Sequence, residues 1–323
     1  MPRNPNVPRP APVVISKGSI LRGLELIDNS APSAARILAM ETAFRARIAT
    51  LLAALPRDTG NFDTFNTNPF VLMFYTTQRG YHFVSQIERD IVPAKVFSSM
   101  ETSAGRMVQE VVVPTYGWEI VNSPMHSPTS VIDARRASAD LLEVATLKSG
   151  PRCLNDEMSK GIAGDIVSYA QRWAADAGVD HVEFTYVAIY GTPRRSNKKD
   201  WHVLRNVMEA VQPRYRLEQP ALRWSCAFTS RAVRIDVRVR HGQDWWQHLG
   251  GEHALLEILV ALVRACVTPA QRTEGPTRYL IGDLGEIVRT DGVPNEFNVG
   301  ILQRSQIEWL FFLASHFCDQ LTE

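Results

Sequence analysis

Cysteine is scarce and scattered. Cys153, Cys226, Cys266 and Cys318 form no CxxC pair, which argues against a zinc knuckle or a disulfide framework and fits a reducing compartment. The eight histidines include no HExxH or paired-ligand spacing, and neither GxGxxG nor GxxxxGKS occurs; a zinc protease, a dinucleotide fold and a P-loop are therefore unsupported. No run of about 18 uncharged apolar residues is present. The opening MPRNPNVPRPAPVV has Pro and Arg but no apolar leader segment, so a cytoplasmic protein is expected. Charge of one sign is missing too. The net charge of +1 leaves nucleic-acid binding open, because basic residues can gather on one face.

What is present reads as an ordinary globular chain, 45% hydrophobic and 21% charged, with no repeat at solenoid periods. Residues 1–15 are too proline-rich to enter a core and are expected to form a disordered arm. Residues 16–97 read as a helical N-terminal region, with apolar residues at helical spacing from Ile20 to Leu55, Ile37, Met40, Phe44, Ile48 and Leu51 among them, and Pro56 ending the run. In this region Phe70–Tyr75 is an apolar run and His82–Ile91 a short helix. Residues 98–323 are expected to be an α/β core, a central mixed sheet flanked by helices. It starts with a helix from Thr102 to Val113, capped by Thr102 and Ser103. SVIDARR, SAD and LLEVATLKS then read as a hairpin, and Asn155–Ala177 as an amphipathic helix with Asn155 as N-cap and Gly178 as terminator. HVEFTYVAIYG and AVRIDVRVR read as strands, Gly250–Val267 and Ile301–Leu321 as helices.

Metal-assisted phosphodiester cleavage needs acidic ligands and a cation near the attacking water. The hairpin offers both. If Asp133 lies opposite Thr146, the pairing centres between Ala139 and Asp140, in the SAD turn, and Asp133 and Lys148 then share one side of a ribbon. Glu143 should point the other way. Spacing alone leaves open an ordinary surface ion pair.

The run TLKSGPRCLND resembles the LKSGP-x-x-x-N segment that follows the catalytic hairpin in a group of type II restriction endonucleases of the PD-(D/E)XK superfamily. SAGRMVQE looks like that group's S-x-G-x-x-x-E helix, VAIYGTPRRSNKKDW like its strand, YG turn and basic loop, and WWQHLGGEHALLEIL like its FW-x-x-I-SG-D segment. Together these span roughly residues 98–265. The resemblance implies a Mg²⁺-dependent enzyme cutting double-stranded DNA to 5′-phosphate ends, working as a homodimer beside a protecting DNA methyltransferase that is a functional, not a physical, partner. Asp133 would be the metal-ligating acid and Lys148 the lysine that orients the attacking water. Glu110 would be the helical acid completing the site. The (D/E) position is Thr146, a poor metal ligand, so another acid, on a helix, should replace it: Glu110 first, with Glu157 and Asp165 as alternatives; Glu143 is a further alternative metal ligand, and Asp140 would stand in for Asp133 were the hairpin shifted.

Basic residues supply the expected DNA contacts. Arg194, Arg195, Lys198 and Lys199 crowd one polar loop, suited to phosphate or guanine. Arg234, Arg238 and Arg240 alternate along a strand, a row that calls for an anion, with DNA favoured over a surface salt-bridge network. Ser149, Arg152 and Asn155 follow the lysine and could touch the scissile backbone. Two other readings remain: a repair or recombination nuclease of the same superfamily, and a DNA-binding protein that lost its activity.

Overall fold

A computed structural model describes residues 10–55, 69–124, 127–211, 217–223, 225–267 and 283–323. Helices α1 (Lys17–Asp28), α2 (Ala31–Ala54), α3 (Pro69–Arg79) and α4 (Glu88–Thr115) come first, after a short strand β1 (Val14–Ser16). Strands β2 (Glu119–Ile120), β3 (Ala134–Ala137) and β4 (Leu141–Lys148) lead into helix α5 (Asp156–Ala177) and strand β5 (His181–Ala188). Helix α6 (Lys199–Val211), strands β6 (Leu217–Arg223), β7 (Ser225–Ser230) and β8 (Val233–His241), and helices α7 (Gln243–Gly250) and α8 (Ala254–Cys266) follow. The chain closes with α9 (Leu284–Ile287), α10 (Ile307–Ala314) and β9 (Gln320–Thr322).

Seven strands form one mixed sheet in the order β2-β3-β4-β5-β8-β7-β6. The centre, β4-β5-β8, is parallel, and β2, β3, β7 and β6 join antiparallel at its sides. Side chains alternate across a strand, so the sheet has two packed faces. Leu142, Val144, Phe184, Tyr186 and Val237 pack with Ile166, Trp173, Trp201 and Val207 of α5 and α6. Ala145, Leu147 and Val187 pack with Met40, Phe44, Val112, Trp245, Val260 and Phe311 of the remaining long helices. Burial on both faces explains the apolar run in VAIY, as parallel strands require.

The α/β sheet architecture, the hairpin and α5 agree with the sequence reading. Asn155 caps α5, its Oδ1 accepting from Met158 N at 2.8 Å, and Gly178 ends it at φ +69°. Other boundaries differ. The first helical run is two helices, because Ser30 caps a new one and Pro32 sits in its first turn; Pro56 lies outside the described residues. Thr102 and Ser103 are not caps but interior residues of α4; Thr102 Oγ1 donates back to Ser98 O at 3.0 Å. The helix expected at His82–Ile91 is a 3₁₀ turn, Val84–Ile87, running straight into α4. The 97/98 boundary therefore falls inside α4. The helix expected at Gly250–Val267 is α8, Ala254–Cys266, and Gly251, at φ +89°, ends a separate helix α7 before it. Ile301–Leu321 shrinks to α10 flanked by 3₁₀ turns, and its end becomes β9. Residues 14 and 15 belong to no arm, since β1 pairs in parallel with β9 and Val13 N donates to Asp319 Oδ2 at 2.9 Å. No described helix is long and apolar enough to cross a membrane.

Candidate active site

The β3–β4 ladder pairs Ala134 with Ala145, Arg135 with Val144 and Arg136 with Glu143. Ser138 N bonds Leu141 O at 2.9 Å, which closes a two-residue turn at Ala139–Asp140. This is the register that sets Asp133 opposite Thr146. Asp133 N donates to Ala145 O at 2.8 Å. Its Oδ2 accepts from Leu147 N at 2.7 Å and Thr146 Oγ1 at 3.2 Å, and Lys148 Nζ stands 3.9 Å away. About a third of each side chain, Asp133 and Lys148, is exposed. One carboxylate oxygen is thus tied to the second strand by three groups, and Oδ1 is the oxygen left for an outside cation.

Two sequence segments interlock just beyond this pair. Ile189 N bonds Lys148 O at 2.9 Å and Gly242 N bonds Ala188 O at 2.8 Å, so β4, β5 and β8 end side by side. A Cβ on Gly150 would come within 2.7 Å of Tyr190 Oη, and one on Gly191, at φ +88°, within 2.7 Å of Pro151 Cγ. The GP and YG pairs therefore pack only because both glycines lack side chains. Arg152 Nε bonds Arg195 O at 3.1 Å and Asn197 Nδ2 bonds Leu154 O at 2.9 Å, lacing the basic loop to the segment after Lys148. Crevices outside the carboxyl ends of parallel strands are the usual ligand sites of open α/β sheets.

Helix α4 meets the end of β4 from the other face of the sheet. A Cβ on Gly105 would stand 2.4 Å from Ser149 Oγ, so α4 approaches the lysine strand through a glycine. One turn on, Gln109 Nε2 donates to Leu147 O at 3.2 Å. The spacing S-x-G-x-x-x-E, laid on Ser103 and Gly105, puts its last position on Gln109 and not on Glu110. Glu110 turns instead to Arg47 at 3.0 Å and Arg106 at 2.8 Å. Gln109 was missed in the sequence because it carries no charge; counting the motif would have found it.

The acids Asp140, Glu157, Asp165 and Glu143 are scattered. Asp140 sits exposed in the turn, about 25 Å from Lys148 at the strand rise of ~3.3 Å per residue. Glu157 is exposed in the first turn of α5. Asp165 is half-buried on α5, and burial raises its carboxyl above the ordinary range. Glu143 faces the opposite side of the sheet from Lys148. Among the described residues, the one group of three acidic or histidine ligands within 4.8 Å is Glu143, Glu183 and His248, which excludes Asp133.

Of the expected DNA contacts, Ser149, Arg152, Arg194 and Arg195 are exposed, in the segments that follow β4 and β5. Lys199 binds Asp156 at 2.6 Å, and Lys198 Nζ is turned onto Pro193 O. Burial lowers the Lys198 ammonium below its usual value. The left-handed φ of Lys198, +67°, is a strained conformation for a non-glycine residue, held by its N–H to Ser196 Oγ at 2.9 Å. The anions that the arginine row of β8 calls for are supplied within the chain: Arg234 meets Asp236 at 3.1 Å, Arg238 meets Glu183 at 2.7 Å and Arg240 meets Asp244 at 2.9 Å. That removes the repulsion argument for DNA at these three positions. Asn155 spends its side-chain oxygen on the α5 cap.

No known family model matches the chain, and no curated protein matches it either.

Proposed function

We propose that this chain is a type II restriction endonuclease that hydrolyses double-stranded DNA with Mg²⁺, in the crevice formed by Asp133, Lys148 and the ends of β4, β5 and β8. The observation that carries the reading is the hairpin register, which brings Asp133 within 3.9 Å of Lys148 beside the interlocked GP and YG turns. Mg²⁺ is held by one or two carboxylates together with substrate phosphate oxygens and water. Asp133 offers one such carboxylate, and the scissile phosphate would complete the set. When bound, the ion polarises the phosphate and lowers the pKa of a coordinated water.

The chain's own groups do the rest. Lys148 places positive charge where the extra negative charge of the attacked phosphate develops and orients the water. Attack forms a new P–O bond and breaks the P–O3′ bond, which leaves a 3′-hydroxyl and a 5′-phosphate. Arg152, Arg194 and Arg195 hold the flanking phosphates and fix register. A palindromic site is matched most simply by a homodimer, and a DNA methyltransferase would protect the host. The test is digestion of unmethylated phage DNA with and without Mg²⁺ and with EDTA. Discrete, Mg²⁺-dependent bands are expected; a smear, or cutting only at junctions and ends, would point to a repair enzyme.

One observation favours a second reading. Thr146 occupies the acid position, and its hydroxyl is spent on Asp133. If the chain binds duplex DNA but never cuts it, it is an inactive DNA-binding descendant of such enzymes.

A further inference from the structure

On the opposite face of β4, about 16 Å from Lys148 at ~3.3 Å per residue, three carboxylates lie in one row across the sheet. The register sets Glu143 beside Glu183 and Glu183 beside Asp236. Like charges directly opposite on neighbouring strands repel. Arginines offset part of this: Arg136 Nε holds Glu143 Oε2 at 2.7 Å and Arg238 Nε holds Glu183 Oε2 at 2.7 Å. Each clamp fixes one oxygen and aims the other inward. There His248 of α7 presents Nε2, 3.0 Å from Glu143 Oε1 and 3.9 Å from Glu183 Oε1, its ring held between Trp118 and Trp245.

One inward atom is not satisfied. Glu183 is 8% exposed, yet its Oε1 has no hydrogen-bond partner: His248 Nε2 sits 3.0 Å from Glu143 Oε1 but 3.9 Å from Glu183 Oε1, and the guanidinium of Arg240 comes no nearer to Glu183 Oε1 than 3.7 Å. Buried polar atoms without partners are uncommon and call for an explanation such as an ion. All three ligand atoms lie within 4.8 Å of one another. A tetrahedral ion at ~2.0–2.2 Å from each would draw them to roughly 3.4 Å apart. Two carboxylates and an imidazole, with the second carboxylate oxygens hydrogen-bonded, are a ligand set for zinc-like ions, because an imidazole nitrogen selects against Mg²⁺.

We propose that Glu143, Glu183 and His248 bind one divalent cation of the zinc class, which clamps α7 to the centre of the sheet. The inference is independent of the nuclease reading.

Co²⁺, whose visible absorption reports tetrahedral nitrogen and oxygen ligation, is the probe, added to the full chain in excess Mg²⁺. One tetrahedral Co²⁺ per chain is expected in the native protein and in Asp133→Asn, with at least a tenfold loss of affinity in His248→Gln and Glu183→Gln. Zn²⁺ should displace the Co²⁺ and raise the thermal midpoint of the native protein. Should His248→Gln fail to fold, His248→Cys must return the absorption with a shifted, sulfur-ligated spectrum. No Co²⁺ band in the native protein, or a band lost in Asp133→Asn but kept in His248→Gln, overturns the proposal; the first result leaves a plain histidine–glutamate ion pair, and the second puts the ion in the crevice.

Discussion

The two faces of β4 carry two charge groups that differ in what completes them. At the open end of the hairpin, Asp133 and Lys148 share one contact at 3.9 Å, and a third of each is exposed. On the other face, Glu143 and Glu183 are nearly buried, and arginines from β3 and β8 hold them at 2.7 Å. Two residues of one strand can thus serve opposite purposes, since alternation sends them to opposite faces. Carboxylates clamped by arginines of the same sheet stabilise the fold. A charged group left open to solvent at the ends of parallel strands is placed to meet a substrate.

The largest expected effect lies at the open end. Lys148→Ala should slow DNA cleavage by about 10²–10⁴-fold, the range for a positioned proton-transfer or charge-stabilising group, while gel-shift affinity for the same duplex stays near native. Equal cleavage rates would make the pair an ordinary surface contact.

Acid should reveal the buried group. Burial alone would push the Glu143 carboxyl up, but His248 and Arg136 outweigh it and hold it at about 2, against an ordinary 4.5. A carboxyl lowered in the folded state stabilises above its unfolded value, and that contribution is lost as pH falls through the folded value. The gap corresponds to stability on the order of 3 kcal/mol. Urea midpoints of the native protein should therefore drop between pH 4.5 and 2, and by clearly less in Glu143→Gln. Parallel acid profiles would contradict the assignment of Glu143 as held by His248 and Arg136.

Smaller effects test how α4 is seated over the open end. Gly105→Ala forces a Cβ to 2.4 Å from Ser149 Oγ and should cost about 1–3 kcal/mol, as overpacking does. Adding Ser149→Ala removes that atom and leaves Ser149 Cβ at 3.5 Å, so the double variant should recover most of the loss in urea unfolding. If it does not, α4 approaches by another route. The smallest effect is at Asn155. Its Ala variant should lose about 1 kcal/mol as a helix cap, whereas Asn155→Asp should keep the cap and cleave DNA normally. A cleavage defect in Asn155→Asp would return this residue to the DNA surface.

Much of this was legible in the sequence where pattern and turn chemistry agreed. The hairpin register followed from SAD, and α5 from its cap, stripe and terminal glycine. The helix break at Asn29–Ser30 was missed because apolar spacing resumes beyond it, and α7 was missed because Trp245–Gly250 was read only as the lead into the next helix. The β6–β7 pair was missed; β7 buries Cys226, Ala227 and Phe228 in succession and so shows no alternation. Glu110 was favoured for its charge, but helix phase turns it to Arg47, and the uncharged Gln109 approaches Leu147. The arginine row of β8 was read as an anion site because two of the acids that meet it come from β5 and α7, which spacing along one strand does not show.

The central claim is tested most directly by single-turnover cleavage of one defined duplex with Mg²⁺, comparing the native chain with Lys148→Ala and Asp133→Asn, and analysing the ends. The account predicts 5′-phosphate ends from the native chain and intact, still-bound DNA from both variants. Cleavage by the variants at the native rate, or a native chain that binds DNA without ever cutting it, would contradict it.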